Sequence, residues 1–142
     1  MADKEGTEVK KKTLSQRQKE EEKREKIEKL NAQRESLGSR LAAVEALRSG
    51  FSFPDLQGAD VEHSQYGPGK VVSQNESVLT IDYDGVEKKQ KLPFVVAGGF
   101  LHLPDSEMET QFVQMEDLDK QKSALEKELH FIESLLGDLN KN

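Results

Sequence analysis

A chain of 142 residues with 34% hydrophobic and 34% charged residues is short of material for a large compact core, because ordinary domains hold roughly 45–50% apolar and about 25% charged residues. The absence of Cys excludes a disulfide framework, thiol catalysis and Cys-based zinc sites. The net charge of −6 hides an asymmetry: residues 1–50 sum to +3, residues 51–104 to −3 and residues 105–142 to −6.

An acidic chain is a poor candidate for wrapping nucleic acid, whose affinity comes mainly from Lys and Arg facing phosphates, although a local basic patch stays open. No apolar run approaches about 18 residues and no signal-peptide core follows Met1. The expectation is therefore a soluble cytoplasmic protein without membrane contact.

Residues 1–12 are polar and end in Lys10-Lys11-Lys12, which reads as a disordered tail. Residues 13–50 read as a helix. Thr13-Leu14-Ser15-Gln16 has the form of a capping box, with Thr13 as N-cap and Gln16 three residues on. Apolar residues recur at Ile27, Leu30, Leu37, Leu41 and Val44, with Leu47 beside them and Arg34 in the skipped place. Steps of 3, 7, 4 and 3 trace the a/d seam of a coiled coil. Arg34 either sets register or snorkels. Gly50 stands at the favoured C′ place.

Residues 51–58 form a linker in which Phe51, Phe53 and Leu56 are expected to plug the junction between helix and β module. Residues 59–103 are the only stretch with clear β character. Val61 and His63 share a face, Tyr66 to Gly69 reads as a turn-rich loop, and Lys70 opens the next strand. Val78–Tyr83 alternates apolar and polar residues, Asp84-Gly85 is a two-residue hairpin signal, and Val86 to Leu92 is the return strand. Pro93 to Gly99 reads as a helical turn, and Phe100–Leu103 as the last strand. Five short strands in this span predict a strongly bent SH3-like barrel.

Residues 104–142 predict a second helix, opened by a capping box from Ser106 to Glu109 with acids in the first turn. Its seam runs through Met115, Leu118, Leu125, Leu129, Ile132 and Leu136, with Lys122 in the polar place. Two helices of similar length around a β module predict an α+β architecture: a five-stranded barrel at the tip of an antiparallel coiled-coil hairpin. Leu47 and Val44 would face Met115 and Leu118, while Ile27 and Leu30 would face Leu129, Ile132 and Leu136. Pairing of the same seams between chains, in a homodimer or a tetramer whose role is purely structural, stays open.

No residue pattern supports catalysis. Gly67-Pro68-Gly69-Lys70 lacks the Gly and the Ser/Thr of a Walker A loop, since Ser64 and Val71 stand in those places. His63, His102 and His130 have no ligand spacing and no carboxylate cluster, so neither a metal nor another cofactor is expected. His63 is expected to hydrogen-bond loop backbone and, with Gly67, Pro68 and Gly69, to shape the first loop. The candidate partner surface is Tyr66, Lys70, Lys88, Lys89, Lys91 and Phe94. Phe94 and Phe100 either belong to that surface or close the bottom of the barrel. The lysines are a solvated face or a phosphate-contacting stripe, with Lys89 and Lys91 on one side of the strand and Lys88 on the other.

The pattern Val61-x-His63-x-x-Tyr66-Gly67-x-Gly69-x-Val71-Val72, followed by Leu79–Tyr83, Lys88-Lys89 and Leu92 to Ala97, resembles the bacterial Tudor-like barrel at the C-terminus of UvrD-type helicases. It is also similar to the CarD-like barrels that contact RNA polymerase. The resemblance covers residues 59–103, and Tyr66 stands where that family usually has Phe. It implies a barrel core of Val71, Leu79, Ile81 and Tyr83, with Gly67 and Gly69 shaping the first loop. It further implies non-catalytic recognition of a protein partner, RNA polymerase or a repair factor, with weak nucleic-acid contact. The helicase motor is absent, so no helicase activity is implied.

Overall fold

The computed structural model describes residues 13–141. The tail expected over residues 1–12, with Lys10-Lys11-Lys12, lies outside the described residues. The chain is α+β: a long helix, a five-stranded antiparallel curled sheet forming a half-barrel, and a C-terminal helix. The contacts fall into two compact units, a sheet unit from Ala42 to Ala124 and a helical unit that contains the rest of both helices.

Helix α1 (Leu14–Ser49) starts where the sequence places it. The Thr13 hydroxyl accepts the Gln16 N–H at 3.1 Å and the Gln16 carboxamide accepts the Thr13 N–H at 3.0 Å. Two donors that helix geometry leaves unpaired are thus satisfied reciprocally.

The sheet comprises β1 (Asp60–His63), β2 (Gly67–Asn75), β3 (Val78–Tyr83), β4 (Val86–Lys91) and β5 (Leu101–His102), in the order β4-β3-β2-β1-β5. Asp84 and Gly85 adopt φ of 52° and 91° at the β3–β4 hairpin, as a two-residue loop requires. The Asp82 carboxylate accepts the Gly85 N–H at 2.8 Å.

The first loop differs from its expectation. Gly67, Pro68 and Gly69 are strand residues that pair with His63, Glu62 and Val61, and the turn is confined to Ser64–Tyr66. Pairing of β2 with β3 begins only at Lys70↔Asp82. Pro68 therefore sits where β1 is its one paired neighbour, a place where a missing N–H is tolerated.

Short helix α2 (Phe94–Ala97) turns Val95 and Val96 inward at 6% and 5% exposure. Helix α3 (Ser106–Asn140) begins under a different cap from the one predicted. Asp105, not Ser106, accepts the N–H groups of Glu107 and Met108, at 2.9 and 3.4 Å. Glu109 instead reaches back to the Leu103 N–H at 2.6 Å. A carboxylate at the helix start also complements the positive end of the dipole.

The core of the sheet unit contains a second departure. Met115, expected in the coiled-coil seam opposite Leu47, is 1% exposed and packs among Leu79, Ile81 and Leu101, while Leu47 is 62% exposed. Phe112, which the seam pattern omits, is fully buried beside it. A half-barrel sheet has one apolar face to cover, and the first turns of α3 cover it. Val44 and Leu118 are also buried within this unit.

In the helical unit Leu37, Leu125, Ile132 and Leu136 are buried, whereas Ile27, Leu30, Leu41 and Leu129 are half-buried. Leu37 lines a groove with Ile132, and Leu30 lines one with Leu135 and Leu139. The expected pairing placed Leu30 opposite Ile132. In the structure Ile132 instead shares its groove with Leu37, seven residues further along α1 than Leu30.

Candidate protein-interaction surface

His63 ends β1 facing inward, 6% exposed. Its Nδ1 accepts the N–H groups of Gln65 at 3.0 Å and Tyr66 at 3.3 Å. These two bonds hold the Ser64–Tyr66 turn and leave the ring proton on Nε2. Burial, and secondly the Lys88 ammonium, lower the pKa of His63 below the ordinary 6.5, so the acceptor form is favoured.

The Tyr66 ring stacks on this imidazole with centroids 4.3 Å apart. Lys88, projecting from β4, places its Nζ 4.4 Å from the Tyr66 centroid, within cation–π range. Tyr83 from β3 completes the cluster, 5.4 Å from Tyr66 and edge-on to His63 at 5.9 Å. Its hydroxyl donates to the Gln90 carboxamide oxygen at 2.9 Å. Burial raises the Tyr83 pKa above 10.0, against the opposing Gln90 hydrogen bond.

Gly69 makes this cluster possible. A Cβ there would stand 2.7 Å from two Tyr83 ring carbons and 2.8 Å from the Ile81 Cγ2. The tyrosine ring lies where any larger residue on β2 would have to be.

Half of the proposed basic stripe is flanked by acids or turned inward. Lys70 pairs in register with Asp60 on one side and Asp82 on the other. Lys88 and Gln90 are half-buried on the inner face, while Lys89 and Lys91 are exposed on the outer one. The six predicted partner residues therefore separate into three groups: Tyr66 with Lys88, Lys70 among acids, and Lys89, Lys91 and Phe94 at the edge of the sheet and just beyond it.

Phe94 and Phe100 do not close the barrel. They are 58% and 44% exposed, with ring centroids 5.7 Å apart. Val95 and Val96 fill the core in their place, because one turn of helix presents only one side to the sheet. The pair is rigidly mounted. Phe100 donates its N–H to the Val95 carbonyl at 3.1 Å, and its carbonyl accepts the Ser64 N–H at 2.8 Å. Gly98 leaves room for the Phe100 ring, which a Cβ would approach to 2.8 Å.

Sequence reasoning missed two side chains that organise the linker. The Gln74 carboxamide accepts the Leu56 N–H at 2.7 Å and donates to the Pro54 and Glu76 carbonyls at 2.9 Å each. Arg48 pairs with Asp119 at 2.8 Å and lies 5.4 Å from the Phe53 centroid. Leu56 is buried in the sheet core, with Phe51 and Phe53 partly buried against it. The only early signal for Arg48 was a cation in a last helical turn; Gln74 gave none.

Among the described residues no group of three or more His, Asp or Glu is placed to hold a metal ion, and no helix is long and apolar enough to cross a membrane. No family model, curated protein or solved structure matches the chain.

Proposed function

We propose that this chain is a non-enzymatic interaction adaptor. Its Tudor-like module docks a protein of the transcription or DNA-repair apparatus and is carried at the turn of an antiparallel helical hairpin. The observation that carries this reading is the Phe94–Phe100 pair, two mutually packed phenyl rings left largely exposed on a fixed turn. Rigid exposed aromatics give contact area at little entropic cost, which is why such residues dominate interface energetics. Exposed Lys91, three residues before Phe94, and Lys89 add charge at the rim, where they favour encounter with an acidic surface.

The Tyr66 cluster serves this reading differently. Lys88 already occupies the face of Tyr66, so the cluster supports the module from within and presents only the 41% exposed edge of Tyr66 outward. Direct nucleic-acid binding is the weaker reading, because Lys70 stands between two aspartates and Lys88 faces a ring.

The test is co-purification of the full chain with core RNA polymerase. Phe94→Ala with Phe100→Ala is expected to abolish capture while leaving the melting temperature unchanged. Undiminished capture by the double variant would remove these rings from the interface. No capture by the unmodified chain would remove the polymerase as partner.

A further inference from the structure

In the helical unit the two helices leave an open groove along one side. Gln33 lines both its upper stretch, with Leu37, Phe131 and Ile132, and its lower stretch, with Leu30, Leu135 and Leu139, so the two stretches are continuous. Phe131 stands on the α3 rim, 61% exposed. A large apolar side chain left in water beside a groove whose lower floor, Leu30, Leu135 and Leu139, is only half-buried is a surface awaiting a cover.

The rims differ in sign. On the α1 side the charged residues are Lys26, Lys29 and Arg40; on the α3 side they are Glu128 and Asp138. Arg40 and Glu128 line the same upper stretch, and Lys29 and Asp138 the same lower one.

We infer that this groove is covered by the same groove of a second copy of the chain. A twofold axis running along the helices lays α3 of the second copy over α1 of the first. Arg40 then meets Glu128 of the second copy, Lys29 meets Asp138 of the second copy, and each Phe131 enters the opposite groove beside Leu37. The interface is isologous and closes at two copies. A twofold axis across the helices would instead set α1 on α1, basic rim on basic rim. A foreign helix of a single charge sign would satisfy one rim and be repelled by the other. The two-signed rim is what selects a second copy.

The inference is independent of the Phe94–Phe100 surface, and its test is the mass of the full chain by sedimentation across a concentration series. The unmodified chain is expected to be a dimer. Phe131→Glu is expected to sediment as a monomer with unchanged helicity, since the residue is exposed. Arg40→Glu and Glu128→Arg are each expected to weaken self-association at least roughly tenfold, as like charges meet across the axis. Mixing those two variants is expected to restore a dimer, because along the upper stretch Arg40→Glu leaves only acids and Glu128→Arg only basic residues, so that opposite charges meet again across the axis. A purely intrachain role for these residues would not produce that recovery. A monomer throughout, a larger assembly, or a Phe131→Glu dimer overturns the proposal.

Discussion

The sheet unit and the helical unit use apolar residues in opposite ways. In the sheet unit Leu79, Ile81, Leu101 and Phe112 reach 0% exposure, and residues from strands, linker and both helical segments close on them from all sides. In the helical unit four hydrophobic side chains are buried among the described residues, and none falls below 4% exposure. One unit is a volume filled in three dimensions; the other is a seam one residue wide. Helix α3 takes part in both, and its sequence changes accordingly. Phe112 and Met115 are suited to a cavity, whereas Leu125, Ile132 and Leu136 follow a heptad step.

That contrast orders the effects of substitution. Phe112→Ala is expected to cost the most, about 3–5 kcal/mol by chemical denaturation, because a closed core collapses poorly around a lost ring. Leu37→Ala in the seam is expected to cost about 2 kcal/mol, near the low end for its type, since the open groove lets neighbours and water adjust. If Leu37→Ala proves as costly as Phe112→Ala, the seam is more enclosed than a two-helix pair provides. Gly69→Ala, which adds a single methyl, is expected to cost about 1–3 kcal/mol by forcing the Tyr83 ring aside. Thermal melting of the variant and of Gly69→Ala with Tyr83→Leu checks this, the second change relieving the first.

A smaller effect sharpens the difference by pH. His63 is neutral in the fold with its pKa lowered from 6.5, chiefly by burial. Its contribution is complete above that value and is lost as the pH falls from there through the lowered native value, since protonation removes the acceptor for two backbone N–H groups. The sheet unit should therefore lose stability between neutral and mildly acidic pH, and His63→Gln should flatten that dependence in melting curves. The smallest effect expected is Lys88→Met, about 0.5–1 kcal/mol for the lost cation–π contact.

The local signals in the sequence were strong where one residue type has one use. Thr13 with Gln16, Asp84-Gly85 and the alternation of Val78–Tyr83 each correspond to an element in place. Competition between neighbours was not legible. Asp105 and Ser106 both cap helices well, and only the approach of the chain from Leu103 decides between them. Met115 fits a heptad step and also a sheet core, and periodicity cannot register the concave face that claims it. At the candidate surface, alternation correctly separated Lys88 from Lys89 and Lys91. It could not show Lys88 crossing to Tyr66, or Lys70 flanked by Asp60 and Asp82, because those contacts depend on strand register.

The start of α1 has no apolar residue between Leu14 and Ile27. Every residue from Leu14 to Lys26 is exposed, a stretch about 20 Å long at roughly 1.5 Å per residue. A free peptide of that length would be marginal as a helix, since nucleation is costly. Here nucleation is already supplied by the turns that follow, and the stretch persists only by propagation, with ion pairs such as Glu21 to Arg24 at 3.8 Å contributing little. It is therefore a fuse: it melts from Thr13 inward, without breaking the seam, and its amide hydrogens should exchange in a graded order that stops near Ile27.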